Sequence, residues 1–127
     1  MTSEKKYPVT VLGAGSWGTA LGLLLARNGH SVLLWGHEAV QQERLEHERQ
    51  NRAYLPDIIF PANIQVHASF PEAVQSVSRF LIAVPSHAFR ATLTALGPLM
   101  PNDAILAWAA RLDEQRDAVH CLVSENY

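Results

Sequence analysis

Apolar residues fall along this chain in short clusters, and the spacing within each cluster predicts one kind of element. Val9-Thr10-Val11-Leu12 is a continuous, β-branched run opened by Pro8 and stopped by Gly13, the pattern of a buried strand. Met1 to Tyr7 is polar and expected to fray. From Ser16 to Asn28 the residues Ala20, Leu21, Leu24 and Leu25 recur at helical spacing, and Gly29 stands where a left-handed cap ends a helix. Ser31 to Trp35 is a second apolar run, so strand, helix and strand follow one another within about thirty residues. Such a crossover is right-handed and lays the first helix on both strands, with Gly22 allowing a close seat. Glu38 to Gln50 is strongly polar around Val40 and Leu45, which predicts a solvated surface helix. Asn51 to Asn63, with Pro56 and Pro61, predicts an irregular connection into a short strand at Ile64 to His67. Pro71 fits the first turn of a helix over Glu72 to Val77. Phe80 to Val84 reads as a strand ended by Pro85, and Ser86 is placed to cap a helix through Phe89, Leu93 and Leu96. Ile105 to Ala109 is the fifth predicted strand, and Val119, Leu122 and Val123 form a helical stripe between Asp113 and Ser124. The alternation predicts an α/β fold, a doubly wound parallel sheet with the first strand central, as one domain over residues 1–127.

Composition narrows the partners. Ten Lys and Arg against twelve Asp and Glu leave a net charge of -2, too little basic character to draw the chain to nucleic acid or an anionic membrane. The apolar stretch from Ala20 to Ala26 ends at Arg27 and Asn28 and is too short to cross a bilayer. A glycine-rich turn stands where a signal peptide would carry its cleavage site. Cys121 has no partner for an internal disulfide, so the cytoplasm is the expected compartment. His30, His47, His67 and His120 show no metal-ligand spacing, and no metal site is assigned. Ser86 and His87 are sequence neighbours whose side chains point apart in an extended loop, which argues against a hydrolase pair. No catalytic residue is assigned.

The candidate chemistry lies in Gly13-Ala14-Gly15-Ser16-Trp17-Gly18, a G-x-G-x-x-G run between predicted strand and predicted helix. In a Rossmann-type sheet Gly13 makes the tight turn, Gly15 leaves room for a pyrophosphate, and Gly18 lets helix and strand pack closely. The helix start adds free N–H groups and a positive dipole end, so an anion is held without a basic side chain. An acid at the end of the second strand would favour NAD by bonding the ribose hydroxyls. This chain has Trp35-Gly36-His37-Glu38 there: His37 can donate to a 2′-phosphate, while Glu38, one or two residues along, can take the ribose role. With no acid directly at the strand end nothing there repels a 2′-phosphate, so the reading leans to NADP, with Glu38 keeping NAD open. Pro85 and Ser86 follow the fourth predicted strand at its carboxyl end, where such sheets bind ligands, and are candidate nicotinamide-side contacts.

Taken together, these segments resemble the amino-terminal part of bacterial NAD(P)-dependent glycerol-3-phosphate dehydrogenase. The resemblance rests on Val11 to Leu21, Ala26-Arg27-Asn28-Gly29-His30, Leu34-Trp35-Gly36-His37, Asn51 to Pro56 as N-x-x-Y-L-P, and Val84-Pro85-Ser86-His87-Ala88. It implies reduction of dihydroxyacetone phosphate to sn-glycerol 3-phosphate for glycerophospholipid synthesis, with Ser16, Trp17 and His37 as cofactor contacts. It also implies that the proton-donating lysine and most of the substrate pocket belong to a carboxy-terminal helical domain outside this sequence. The chain by itself is therefore expected to bind a dinucleotide and to turn over weakly or not at all. A small phosphorylated substrate would bind only when that domain is supplied. After the tryptophan of the fifth strand the family is expected to carry Thr-Lys-Gly, where this chain has Ala109-Ala110-Arg111-Leu112. Arg111 keeps the positive charge and is the candidate substrate contact, although a planar fork replaces a compact ammonium. That departure keeps a second reading in view, a non-catalytic nucleotide-binding module. An exposed edge at Ile105 to Ala109 would also permit pairing of two copies into a homodimer.

Overall fold

The computed structural model describes residues 7–53, 55–67, 69–75 and 77–108. Five strands form one parallel sheet: β1 (Val9–Leu12), β2 (Val32–Trp35), β5 (Ile64–His67), β6 (Arg79–Ile82) and β7 (Ile105–Trp108). Their order is β5-β2-β1-β6-β7, so the first strand is central, as its unbroken apolar run requires, and all four of its residues are buried. The register aligns the carboxyl ends of the strands, with Leu12 beside both Trp35 and Ile82, Trp35 beside His67, and Ile82 beside Trp108.

Strand alternation sends successive side chains to opposite faces, and each face has its own core. On one face Val11, Val32, Leu34 and Ile64 pack with Leu23 and Ala26 of α1 (Ser16–Arg27) and Leu45 of α2 (Ala39–Glu48). On the other, Leu12, Phe80 and Ile82 pack with Val74 of α3 (Phe70–Gln75) and with Phe89, Leu93 and Leu96 of α4 (Phe89–Leu96). The sheet is thus covered on both sides, a doubly wound α/β domain of the Rossmann type. Thr10 points toward α3 from within the buried strand, and its hydroxyl donates to the Ala73 carbonyl at 2.6 Å. Helix α1 ends as its sequence predicts. Gly29 has φ 93°, its N–H donates to the Ala26 carbonyl, and the His30 N–H reaches the Leu25 carbonyl, which closes a Schellman cap.

Four sequence expectations are corrected. The stretch 51–63 is not irregular: β3 (Gln50–Asn51) and β4 (Leu55–Ile59) form a two-stranded antiparallel ribbon with a register shift, and Pro56 is tolerated because such a ribbon has free edges. Helix α2 is not wholly solvated, because Gln42 is 2% exposed and donates to the Leu34 and His67 carbonyls at 3.1 and 2.7 Å. Ser86 does not cap α4; Ser86–Ala88 form a single 3-10 turn with no side-chain cap, and the α-helix begins at Phe89. Close seating of α1 does not depend on Gly22, where an added methyl would meet Val32 at an ordinary 3.5 Å. The predicted helix between Asp113 and Ser124 lies outside the described residues, as do Ala109 and Ala110.

Candidate functional site

The strand order reverses between β1 and β6, because the chain leaves them toward opposite faces of the sheet. Carboxyl ends of strands at such a reversal leave a crevice between the departing loops. Here it is a cleft of about 1120 Å³. Gly13 to Trp17 line it after β1, Trp35 to Glu38 after β2, and Ala83 to Pro85 after β6. Phe70, Gln41, the 3-10 turn at His87 and Ala88, and one side of α4 from Ala91 to Ala95 complete the wall.

The three glycines of the turn answer to different neighbours. Gly13 has φ 120°, and a methyl there would stand 2.6 Å from the Ala83 carbonyl oxygen. A methyl on Gly18 would run into the Gly13 carbonyl, so α1 starts hard against the end of β1. Gly15 is different: its φ is -78°, which any residue adopts, and beyond its two chain neighbours a methyl there would meet nothing within 4 Å. Gly13 and Gly18 are required by the protein's own packing, whereas the space above Gly15 is left for whatever enters the cleft. Gly15 is also the N-cap of α1 and makes no side-chain cap. The first bond inside the helix runs from the Thr19 N–H to the Gly15 carbonyl at 3.0 Å, so the amides of Ser16, Trp17 and Gly18 have no acceptor within the helix. With no acid in the first turn, the positive end of the helix meets the cleft uncancelled. An open space over a glycine, unsatisfied donors and a positive dipole end fit the pyrophosphate of a dinucleotide.

At the end of β2, His37 is 82% exposed and its Nε2 lies 3.7 Å from a carboxylate oxygen of Glu38. Both side chains border the cleft, so neither takes the β2-end position to the exclusion of the other. Trp35 is held edge-on against Phe70, with ring centroids 4.9 Å apart, and Trp17 is 57% exposed on the opposite lip. Of the residues singled out from the sequence, Gly13, Gly15, Ser16, Trp17, His37 and Pro85 border one cleft, and Gly18 packs beneath it. Ser86 starts the 3-10 turn and does not border the cleft, while its neighbour His87 does. Arg111 lies outside the described residues.

Two supports of the site are invisible to spacing rules. Gly36 lies over Gln42, whose Oε1 would be 2.5 Å from a methyl at position 36, so a side chain there would have to displace the Gln42 amide under the cleft. Asn51, 1% exposed, reaches the glycine turn from β3 and donates to the Ala14 carbonyl at 3.1 Å and to the Thr19 hydroxyl at 2.9 Å. Among the described residues no cluster of His, Cys, Asp and Glu could hold a metal ion, and no helix is long and apolar enough to cross a membrane.

A doubly wound parallel sheet with this glycine turn at its switch point defines a Rossmann-type nucleotide-binding domain. The chain belongs to the family of the NAD-dependent glycerol-3-phosphate dehydrogenase N-terminus, whose model matches residues 8–119. It is 48% identical to the glycerol-3-phosphate dehydrogenase [NAD(P)+] of Aeromonas salmonicida over 81% of this chain and 31% of that protein. It is 50% identical to the enzyme of the same name from Sodalis glossinidius over 80% of this chain and 30% of that protein. The crystal structure of glycerol-3-phosphate dehydrogenase from Coxiella burnetii superposes with a TM-score of 0.87 at 36% identity, covering 95% of this chain and 38% of that one. The chain spans about a third of the length of the curated relatives it matches.

Proposed function

We propose that this chain forms the dinucleotide-binding part of an NAD(P)H-dependent glycerol-3-phosphate dehydrogenase, which reduces dihydroxyacetone phosphate to sn-glycerol 3-phosphate for glycerophospholipid synthesis in the cytoplasm. The observation that carries this reading is the open space over Gly15 at the uncapped start of α1, inside the switch-point cleft. When bound, the reduced nicotinamide supplies the hydride that turns a ketone into an alcohol. The residues of this chain bind and orient. The amides at the start of α1 hold the pyrophosphate, and Trp35 packed on Phe70 walls one end of the cleft. His37 and Glu38 select at the ribose, His37 by donating to a 2′-phosphate and Glu38 by accepting from the hydroxyls. Pro85, with Val84 and Ala83, borders the cleft after β6 on the nicotinamide side. Reduction of the ketone oxygen also needs a proton. No residue of this chain is assigned to that transfer, and Arg111 is proposed to face the substrate.

Calorimetric titration of the purified chain with NADH and with NADPH tests the reading. Saturable binding in the micromolar range to at least one is expected, and the ratio of the two affinities measures the selection at His37 and Glu38. Absence of binding to both would overturn it.

A further inference from the structure

The N-x-x-Y-L-P segment opens with Asn51, a residue buried beneath the glycine turn and given no part in binding so far. Its amide nitrogen carries two hydrogens and both are used, one on the Ala14 carbonyl at 3.1 Å and one on the Thr19 hydroxyl at 2.9 Å. The Thr19 hydroxyl in turn leans on the same carbonyl at 3.4 Å. All three residues are at most 5% exposed, so no water substitutes for these contacts. Asn51 comes from β3, which joins the glycine turn through neither the parallel sheet nor α1.

The peptide joining Ala14 to Gly15 is a rigid plane in which C=O and N–H point in opposite directions. Fixing the Ala14 carbonyl inward, on Asn51 and Thr19, therefore turns the Gly15 N–H outward to the cleft that both residues border. Rotation of that plane would instead present a carbonyl oxygen to an incoming phosphate. Nothing in the turn itself prevents that rotation, because Gly15 has no side chain to resist it and the helix start has no side-chain cap.

We propose that Asn51 is a positioning residue for the pyrophosphate site: together with Thr19 it locks the Ala14–Gly15 peptide in the orientation that donates to the ligand. The proposal rests on the dinucleotide reading given above and assigns a purpose to the first residue of a segment that reading left unused.

The test is ADP-ribose affinity, measured by calorimetry, together with the amide resonance of Gly15 in an ¹⁵N spectrum of the whole chain. Wild-type protein is expected to bind ADP-ribose and to shift the Gly15 amide on binding. Asn51→Ala is expected to lose about tenfold or more in affinity, the range for a donor to a charged group, and to lose the Gly15 shift. Asn63→Ala is the control, since the Asn63 amide also makes two donations, to the Ala26 and His30 carbonyls, but away from the turn. It is expected to bind as wild type. Should Asn51→Ala not fold, Thr19→Val removes the shared hydroxyl at constant shape and is expected to weaken binding, while Thr19→Ser restores it. Unchanged affinity and an unchanged Gly15 shift in Asn51→Ala would overturn the proposal, as would an equal loss in Asn63→Ala. Wild-type protein that binds neither ADP-ribose nor NADH would instead overturn the dinucleotide reading itself, and this proposal with it.

Discussion

Glycine carries two separate meanings within six residues of this chain, and substitution separates them. Gly13→Ala forces a side chain to φ 120° and into the Ala83 carbonyl, so a loss of about 2–5 kcal/mol is expected, read by urea denaturation. The sequence announces all three glycines equally; only the backbone angles and the neighbours of the missing methyl show that Gly13 and Gly18 serve packing while Gly15 serves the cleft. His37 and Glu38 pose a question of selection at the same scale. A carboxylate at position 37 would repel a 2′-phosphate and accept from ribose hydroxyls. His37→Asp is therefore expected to weaken NADPH at least about tenfold relative to NADH, which paired titrations would show. An unchanged ratio would place the ribose elsewhere in the cleft.

Elements were legible where one physical signal dominated. The buried run at Val9–Leu12, the helical spacing to Arg27 and the glycine cap at Gly29 left a single reading, and the structure bears each out. Boundaries moved by a residue or two, which carries no physical weight. Two of the failures, at α2 and at the β3–β4 ribbon, share a cause, long-range contacts that no local pattern encodes. Helix α2 reads as solvated because seven of its ten residues are polar or charged, yet Gln42 turns inward to tie the end of β2 to the end of β5. Its Oε1 is buried without a hydrogen-bond partner, so the side chain is held by its two donations alone. Gln42→Leu would relieve that atom but withdraw one donor from each of two carbonyls, and a net loss of about 1–3 kcal/mol in chemical denaturation is expected. A variant as stable as wild type would show that those carbonyls find other partners. The ribbon of β3 and β4 was hidden for a similar reason. Prolines at 56 and 61 read as loop, while the pairing that makes it a ribbon, and the reach of Asn51 to the glycine turn, depend on residues far away in sequence.

At the scale of the molecule, the sheet order brings three loops, separated by some seventy residues of chain, to one cleft whose floor is the glycine turn. That convergence was legible in outline, since alternating strands and helices with a central first strand imply a switch point and a cleft there. The depth of the cleft, the part of its wall from Phe70 and α4, and the buried contacts beneath it were not. Membership in the glycerol-3-phosphate dehydrogenase family and the geometry at Gly15 support the same central claim, that this chain folds with a ready dinucleotide site. Gly15→Val tests it most directly, because position 15 has an ordinary φ and open space, so the fold tolerates the side chain while a pyrophosphate does not. Tryptophan fluorescence from Trp17 and Trp35, both at the cleft, would follow NADH and NADPH binding to wild type and variant side by side. The account predicts saturable binding to wild type, a thermal unfolding midpoint for the variant no lower than wild type, and a loss of affinity of about a hundredfold, the equivalent of roughly 2.7 kcal/mol. Equal binding by both proteins would contradict it.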